Sequence, residues 1–367
     1  MQTYTREEQC RLWLQSAPSL SWRTREALLT YFGCAESIFE QMGPTVQMMA
    51  GDKAYAELQQ MKTAGLDALI DRLHRCGAEI IFCGRAGYPA LLGEINDPPH
   101  ALFIRGTPAE DRFSVAIVGS RRDTRYGRSQ AFSIARDLAA AGVTVVSGLA
   151  RGIDTAAHEG ALAGGGRTVA VLGNGIDRVY PEENTRLAQT IVEHGGAIIS
   201  EFALGAEPLA HHFPIRNRII SGVSAALLLI EGNAHSGTMI TAGCAAEQGR
   251  EVFALPGMVN VPGSIAPLRL LRDGANLCTC AQDILDDMRW TQTTVPAKSE
   301  PAPASAQDNL TEPQKRIFAL LEREEMRFEE LAEKTGLTPD QLSGELTIME
   351  LDGLIEARAG RAYALKR

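Results

Sequence analysis

Glycine, serine and arginine follow an apolar run in the stretch VAIVGSRRDTRYGRSQ, residues 115–130. Glycine lets backbone N–H groups approach an oxyanion closely, and the N-terminus of a following helix favours negative charge. Serine hydroxyls donate hydrogen bonds to phosphate oxygens, and the planar arginine fork neutralises them. The residues Gly119, Ser120, Arg121 and Arg122 therefore form a candidate phosphate-binding loop.

Small polar residues and arginines follow four further apolar runs or lie in the helices next to them. Several such loops at one sheet edge exceed what the phosphate of one mononucleotide needs, and they favour a groove that follows several phosphates of a strand. Three aromatic residues, Tyr126, Tyr180 and Phe213, could stack on bases, although each also fits a protein core. The additional candidate binding residues are Ser147, Gly148, Arg151, Gly152, Arg186, Arg216, Asn217, Arg218, Ser236, Gly237 and Thr238.

Motifs of catalysis and cofactor binding are missing from the sequence. It contains neither the dinucleotide-binding pattern G-x-G-x-x-G nor the P-loop pattern G-x-x-x-x-G-K-[ST], and no G-x-S-x-G nucleophile motif. Asp154 is expected to cap a helix, and His158 lies four residues on, a spacing that favours structural packing over catalysis. The side chains of the adjacent His211 and His212 diverge on any regular element, which disfavours a metal site. We predict no cofactor, no metal and no enzymatic activity.

Six apolar runs alternate with helical stretches from residue 114 onward. Continuous β-branched runs are typical of strands buried on both faces, and their alternation with helices favours a parallel sheet. The prediction is a Rossmann-like, doubly wound, mostly parallel α/β sheet of about six strands, which binds its ligand at the carboxyl ends of the strands. The runs are VAIVG, VTVVSG, TVAVLG, AIISE, AALLLIEG and EVFALPG.

The regions flanking this core have different patterns. Residues 1–75 read as short amphipathic helices, a small SAM-like helical domain, and 76–110 read as a connector packed on the core domain at 111–288. Residues 289–309 are rich in proline, alanine and serine and are expected to form a flexible linker. Residues 310–367 show three helices and a β-ribbon, the pattern of a winged helix.

Charge limits the classes of partner. The chain of 367 residues has a net charge of −9, which opposes a broadly basic, duplex-gripping surface. Residues 112–285 carry fifteen arginines, no lysine and fifteen acidic residues, so the core domain is neutral overall. No apolar run is long enough to cross a bilayer, and the first residues lack the order of a signal peptide, so we expect a cytoplasmic protein.

Seven segments resemble, in order, the bacterial DNA-processing family DprA/Smf. The resemblance covers about residues 80–300 densely, and the flanking modules are similar to those of longer members. The segments are GSRRDTRYG, SGLARGIDTAAHEGAL, VAVLGNGIDRVYPEENTRL, ISEFALG, FPIRNRIISG, SGTMITA and EQGREVFALPG.

This resemblance implies a non-enzymatic protein that binds single-stranded DNA through its Rossmann-like domain. Such a protein protects incoming DNA and loads RecA onto it during natural transformation, and it is usually a homodimer through that domain. By position, Gly119–Arg121 match the family's phosphate-binding turn and Arg216–Arg218 match its R-N-R segment, whereas Arg186 aligns only loosely with a basic position. The sequence departs from the family pattern at 265–268, where Pro267 could alter a DNA contact or the dimer geometry.

Two other function classes stay open. A nucleotide phosphoribohydrolase of the LOG-like type would need a P-G-G-x-G-T-x-x-E signature; HSGTMITAG is the nearest analogue, and Glu231 or Glu247 would have to supply the acid. A duplex-binding regulator would use the winged helix, but residues 310–367 carry nine basic and twelve acidic residues. Its expected recognition helix contains Asp340, Glu345 and Glu350 and no lysine or arginine, so phosphates would repel it. We predict that this module contacts protein or serves as a scaffold.

Overall fold

The computed structural model describes residues 4–107, 113–234, 236–290, 311–321, 325–351, 355–358 and 362–365. The chain divides into two compact units, Met1–Ala297 and Lys298–Arg367. Within the described residues, no helix combines the length and apolarity needed to span a membrane.

The first unit begins with six helices whose core surrounds Trp13. The Trp13 indole is fully buried, lies edge-on to Phe39 at 5.0 Å between ring centroids and donates from Nε1 to the Leu58 carbonyl at 2.9 Å. Thr5 and Glu8 form a capping box that starts the first helix. The helices are α1 (Arg6–Gln15), α2 (Trp22–Phe32), α3 (Ala35–Glu40), α4 (Pro44–Ala50), α5 (Asp52–Ala64) and α6 (Leu66–Arg75).

A nine-stranded sheet follows, and its order is β1-β2-β6-β5-β4-β3-β7-β8-β9. The six predicted strands are present as β3 to β8 and pair in parallel, which confirms the mostly parallel sheet. The chain winds outward from β3 to β6 and then returns to place β7 on the other side of β3. The strands are β1 (Glu79–Phe82), β2 (Ala101–Gly106), β3 (Ser114–Val118), β4 (Thr144–Ser147), β5 (Thr168–Leu172), β6 (Ala197–Ser200), β7 (Ala226–Leu229), β8 (Glu251–Ala254) and β9 (Asn276–Leu277).

The segment 76–110, interpreted from the sequence as a connector, supplies two strands of this sheet. Strand β2 pairs antiparallel with β6, with Phe103 opposite Ser200, and β1 pairs antiparallel with β2. Its apolar residues Leu102 and Phe103 are buried on opposite faces, because successive strand residues alternate. The six-strand estimate therefore missed β1, β2 and the two-residue β9.

Helices cover both faces of the sheet. On one face Val115 and Ile117 pack with α8 and α9; on the other Ala116 and Val118 pack with α11 and α12. The helical N-terminal region shares a core with Ala170 of β5 and other sheet residues. The helices are α7 (Ala90–Gly93), α8 (Arg125–Ala140), α9 (Ile153–Ala163), α10 (Thr185–Glu193), α11 (His212–Gly222), α12 (Gly237–Glu247), α13 (Ile265–Arg272) and α14 (Ala281–Asp287).

The described part of the second unit consists of three helices and a three-stranded sheet of order β10-β12-β11, a winged-helix arrangement. Gly336, at φ +70°, ends α16 with the left-handed residue that such helix ends favour. Leu331, Leu342 and Leu346 are buried in its core. Its elements are α15 (Glu312–Leu321), β10 (Met326–Arg327), α16 (Phe328–Thr335), α17 (Pro339–Leu351), β11 (Ile355–Arg358) and β12 (Ala362–Leu365). The predicted linker at 289–309 lies outside the described residues except at Arg289 and Trp290.

Candidate nucleic-acid interface

A cleft of about 590 Å³ opens at the carboxyl end of the sheet, between the ends of β3 and β7. Strand order reverses at this point, since β3 leads towards β4 on one side and has β7 on the other. The loops that follow the two strands diverge there and leave a crevice. Open doubly wound sheets bind their ligands in such crevices. The cleft is lined by Gly119 after β3 and by Gly232 after β7.

Eight of the fifteen predicted binding residues line this cleft. They come from three segments distant in sequence: the loop after β3, the first half of α11, and the start of α12. The loops meet because the carboxyl ends of parallel strands lie at one edge of the sheet. These residues are Gly119, Ser120, Arg121, Arg216, Asn217, Ser236, Gly237 and Thr238.

Two glycines let the loop after β3 pack directly against the start of α9. A Cβ on Gly119 would come within 2.5 Å of Ile153 Cγ1, and a Cβ on Gly152 within 2.3 Å of the Ser120 carbonyl oxygen. Gly152 also has a φ of +80°, which disfavours other residues. The Arg122 N–H donates to Ser120 Oγ at 3.0 Å and closes the turn. Gly119 and Gly152 are therefore needed for the close packing of the backbone. The Arg121 side chain is exposed and can contact a ligand.

An aromatic side chain, Phe213, lies beside the exposed arginine. The Arg121 guanidinium lies 4.9 Å from the Phe213 ring centroid, and the Tyr180 ring lies 5.9 Å from it. Both aromatic residues line the cleft, and Tyr180 is 39% exposed. Tyr180 is therefore a surface residue, whereas Phe213 is partly buried in the wall of the cleft. The sequence did not identify Pro208 and Pro214, which also line the cleft.

Arg216 forms the buried floor of the cleft. Its Nη1 donates to the Gly148 carbonyl at 2.7 Å and to the Val171 carbonyl. Burial lowers the pKa of Arg216 to about 10, partly opposed by the nearby Asp154 carboxylate. A pKa of about 10 is still well above neutral pH, so the guanidinium stays charged and its charge is balanced by the nearby Asp154 carboxylate.

Asp154 does not cap α9 as the sequence suggested. It is the second residue of the helix, and Gly152 holds the capping position. Its Oδ2 accepts from the Gly148 N–H at 3.1 Å and the Ala150 N–H at 3.3 Å. Burial raises the pKa of this carboxyl, and Arg216 acts in the opposite direction. Asp154 therefore holds the loop after β4 against the helix.

His158 contacts Thr168. Its Nδ1 lies 2.7 Å from Thr168 Oγ1, whose own proton is donated to the Val145 carbonyl at 2.8 Å. Thr168 must therefore accept, so His158 is protonated on Nδ1. Complete burial lowers the pKa of His158 to about 3, and the imidazole is neutral. The sequence analysis favoured structural packing over catalysis for His158, and its buried contact with Thr168 is of that kind.

Two predicted residues have side chains whose partners lie away from the cleft. Ser147 is completely buried and its Oγ donates to the Ile117 carbonyl at 2.7 Å. Arg218 forms a buried ion pair with Glu201 at 2.6 Å and a second ion pair with the half-exposed Asp97 at 3.1 Å. Residues two apart on a helix point about 200° from one another, so Arg216 and Arg218 cannot share one face of α11. The R-N-R pattern alone could not show which arginine faces the cleft.

The remaining five predicted residues do not line the cleft. The guanidinium of Arg151 is exposed and pairs with the Glu183 carboxylate, with Nη2 at 2.8 Å from Oε2. Arg122 and Arg186 are exposed at the surface. Gly148 and Gly152 contribute backbone close to the floor, and a Cβ on Gly148 would come within 2.5 Å of Arg216 Nη1.

The two acids required by the hydrolase alternative are not placed in the cleft. Glu231 is 4% exposed, and its carboxylate accepts from the Thr124 N–H at 3.0 Å and from the Thr124 hydroxyl, at the start of α8. Glu247 is exposed at the last position of α12. Within the described residues, no group of three histidine, cysteine, aspartate or glutamate side chains is arranged to hold a metal ion.

The departure from the family pattern at 265–268 falls in the first turn of α13. Pro267 is the third residue of that helix, where a backbone N–H has no intrahelical acceptor, so proline removes nothing from the helix. None of the four residues lines the cleft. Ile265 is 45% exposed and Ala266 is buried.

Two family models match the chain. One, described as DNA recombination-mediator protein A, matches residues 79–289, and the DprA winged helix domain matches residues 300–361. The chain is 41% identical to Protein Smf of Escherichia coli over 282 residues, which are 76% of this chain and 75% of that protein. It is 41% identical to DNA processing protein DprA of Streptococcus pneumoniae over 204 residues, which are 55% of this chain and 72% of that protein.

Solved structures agree with these matches. The X-ray structure of DprA from Streptococcus pneumoniae superposes with a TM-score of 0.64 at 32% identity, covering 78% of this chain and 99% of that one. The DprA of Helicobacter pylori, whose structure is described as showing a single-stranded DNA binding mode, gives a TM-score of 0.52 at 28% identity. That match covers 58% of this chain and 95% of the other. With most of its length matched in both sequence and structure, the chain belongs to the DprA/Smf family.

Proposed function

We propose that this protein binds single-stranded DNA in the cleft at the carboxyl end of its sheet, without sequence specificity. Single strands offer two features that duplexes hide or hold rigidly, namely free base faces and a flexible line of phosphates. Bases stack on aromatic rings and phosphates pair with arginines. A site for single strands therefore needs both groups side by side.

The observation that carries this proposal is the pair Arg121 and Phe213. The exposed guanidinium lies 4.9 Å from the ring centroid at the mouth of a cleft that also holds backbone and hydroxyl donors. Arg216 below is buried and its charge is balanced by Asp154, so Arg121 is the arginine that presents its charge beside the ring. The Helicobacter pylori relative, described by its single-stranded DNA binding mode, supports this assignment.

We further propose that the protein performs no chemistry on the strand. Glu231 is committed to the start of α8, and Glu247 lies outside the cleft. Asp154 lines the cleft, but its Oδ2 accepts from the Gly148 and Ala150 N–H groups and holds the loop after β4. A glycosidic-bond hydrolase needs a carboxyl group positioned at the reacting bond. Release of free base from a nucleoside monophosphate by the purified protein would contradict this proposal.

The proposed cellular role is to protect incoming single strands in the cytoplasm and to load RecA onto them during natural transformation. The family membership supports this role, as does the description DNA recombination-mediator protein for the matching model. We propose that the protein acts as a homodimer through the sheet domain. Sedimentation equilibrium tests the dimer, and RecA-dependent ATP hydrolysis on SSB-coated single strands, with and without the protein, tests loading.

Fluorescence anisotropy with single- and double-stranded oligonucleotides across a salt series tests the binding proposal. We expect preference for single strands, tolerance of sequence and a strong salt dependence. Arg121→Ala should weaken binding and reduce the salt slope by about 0.7, the value for one phosphate contact on a single strand. Arg23→Ala, an exposed arginine on α2, is the matched control and should bind as the wild type does. Equal affinity and slope for Arg121→Ala and Arg23→Ala would remove the loop after β3 from the interface.

A further inference from the structure

A second cavity of about 660 Å³ lies on the other side of the loop after β3. Its walls come from the first turn of α8 and from the segment that follows β8. It shares no lining residue with the cleft, but the two are adjacent along the chain: Gly119–Arg121 line the cleft, whereas Thr124–Tyr126 line the second cavity. The other lining residues are Glu231, Pro256, Gly257, Met258, Val261 and Ser264.

The cavity presents an aromatic ring in a fixed position. Tyr126 is 48% exposed, and its hydroxyl donates to the Pro256 carbonyl at 2.9 Å, which anchors the ring at the cavity wall. Met258, 72% exposed, adds a flexible apolar side chain beside it. An anchored aromatic ring next to a polarizable thioether can hold a flat apolar group between them.

The charge around the cavity is positive towards solvent. We define the rim of the cavity as the loop after β3 and the start of α8, which carry the exposed Arg121, Arg122 and Arg125; of these, Arg125 lines the cavity itself. None of the three forms an ion pair with a described residue, and the one acid of this loop, Asp123, is paired with Arg128. The one carboxylate that lines the cavity, Glu231, is buried and bound to Thr124. The rim therefore attracts anions, although the walls are mostly apolar.

We propose that this second cavity binds a nucleobase of the same strand that the cleft binds, with Tyr126 as the stacking residue and Arg122 and Arg125 contacting the phosphates between the two sites. This inference rests on the proposed function. A second copy of the chain seated on this face would bring two sets of three arginines together, which like-charge repulsion disfavours. A polyanion with flat apolar bases satisfies both the rim and the walls.

The test uses the full chain and an oligothymidylate of about 20 nucleotides, long enough for both sites. Loss of one stacked base should weaken binding roughly fivefold or more, so Tyr126→Leu should show that loss. Tyr126→Phe keeps the ring and should bind almost as the wild type does. Tyr31→Leu, another exposed tyrosine, is the matched control and should have no effect.

Fluorescence from position 126 tests whether a base stacks at this residue. In Tyr126→Trp, single-stranded DNA should quench the added indole emission, whereas an effect transmitted from elsewhere would leave it unchanged. If Tyr126→Leu lowers the thermal unfolding midpoint, Met258→Glu replaces it, because the added carboxylate repels phosphate from the mouth of the same cavity.

Three results would overturn the inference. Normal binding by Tyr126→Leu together with weak binding by Arg121→Ala removes the second cavity but leaves the cleft in place. Normal binding by both variants, or no binding by the wild type, removes the proposed function itself. A loss of affinity in Tyr126→Leu that accompanies dissociation of the protein into monomers in sedimentation equilibrium assigns the cavity to a second copy.

Discussion

The loop after β3 and the helix α11 both supply arginines to the candidate interface, but they hold them in opposite ways. Arg121 is exposed and contacts the Phe213 ring, and Arg122 beside it is also exposed. Arg216 and Arg218 are 3% and 8% exposed, with carbonyl and carboxylate partners inside the protein. Residue type is the same in both regions, and burial decides what each guanidinium does.

The difference shows how a neutral domain can attract a polyanion. Buried arginines are compensated by Asp154, Glu201 and Asp97, so they contribute mainly to the stability of α11. The exposed arginines of the loop have no such partners among the described residues and retain their charge for a ligand. We expect substitutions in α11 to change folding and substitutions in the loop to change binding.

The strongest test of this contrast is Arg216→Met. It leaves Asp154 buried without its nearest positive charge and leaves the Gly148 and Val171 carbonyls without a donor. Each buried polar group that loses its partner costs about 1–3 kcal/mol, so we expect the free energy of unfolding to fall by about 3–5 kcal/mol in total. Urea denaturation measures the change, and Arg122→Met is the matched exposed control, expected within about 0.5 kcal/mol of the wild type. Similar free energies of unfolding for the two variants would contradict the proposal that the arginines of α11 stabilise the fold and those of the loop do not.

A smaller effect is expected from acid at the buried His158. Its pKa is about 3 in the folded protein against an ordinary 6.5, so unfolding takes up a proton as the pH falls below 6.5. The stabilisation is complete above pH 6.5 and is lost progressively towards pH 3, at about 1.4 kcal/mol per pH unit. At pH 5 the wild type should therefore have lost about 2 kcal/mol from this group.

The variant His158→Gln isolates that contribution, because a glutamine amide can still donate to Thr168 and does not titrate. Urea denaturation between pH 7 and 5 should give a shallower pH dependence for the variant than for the wild type. Parallel curves for the two proteins would show that His158 is not held neutral by burial.

The sequence was sufficient to predict the parallel strands and the turn after β3. β-Branched runs favour extended backbone, and glycine marks positions where the backbone packs closely, so both features can be read locally. It could not separate Arg216 from Arg218, since that depends on the rotation of α11 against the sheet. It also could not place Ser147, whose hydroxyl satisfies a buried carbonyl of the neighbouring strand. The strands β1 and β2 were missed as sheet members because the prolines around them are typical of a connector, and because β2 joins the sheet through a long-range pairing with β6.

The exposed region is tested at Phe213. Phe213→Ala removes the ring beside Arg121 and should weaken single-stranded DNA binding by about 1–3 kcal/mol, the range for one stacked base. Phe213→Trp keeps an aromatic face and should retain binding. Anisotropy titrations at one salt concentration measure both, and the salt slope should stay unchanged in either variant because no charge is removed. A change in slope equal to that of Arg121→Ala would mean that the ring acts by positioning the arginine.

The smallest expected effect concerns Arg151, an arginine at the edge of the exposed region whose charge is already compensated. Its partner Glu183 is exposed, and the two side chains hold each other beside the cleft residue Ala150. Glu183→Gln should release the guanidinium for one more phosphate, raising affinity slightly and steepening the salt slope by up to about 0.7. Glu183→Gln in an Arg151→Ala background is the control: a gain produced by the freed arginine disappears there, whereas a gain from relieved carboxylate–phosphate repulsion remains. If Glu183→Gln alone leaves affinity and slope unchanged, Arg151 lies off the path of the strand, and the exposed region that binds DNA is confined to the side of the cleft that carries Arg121.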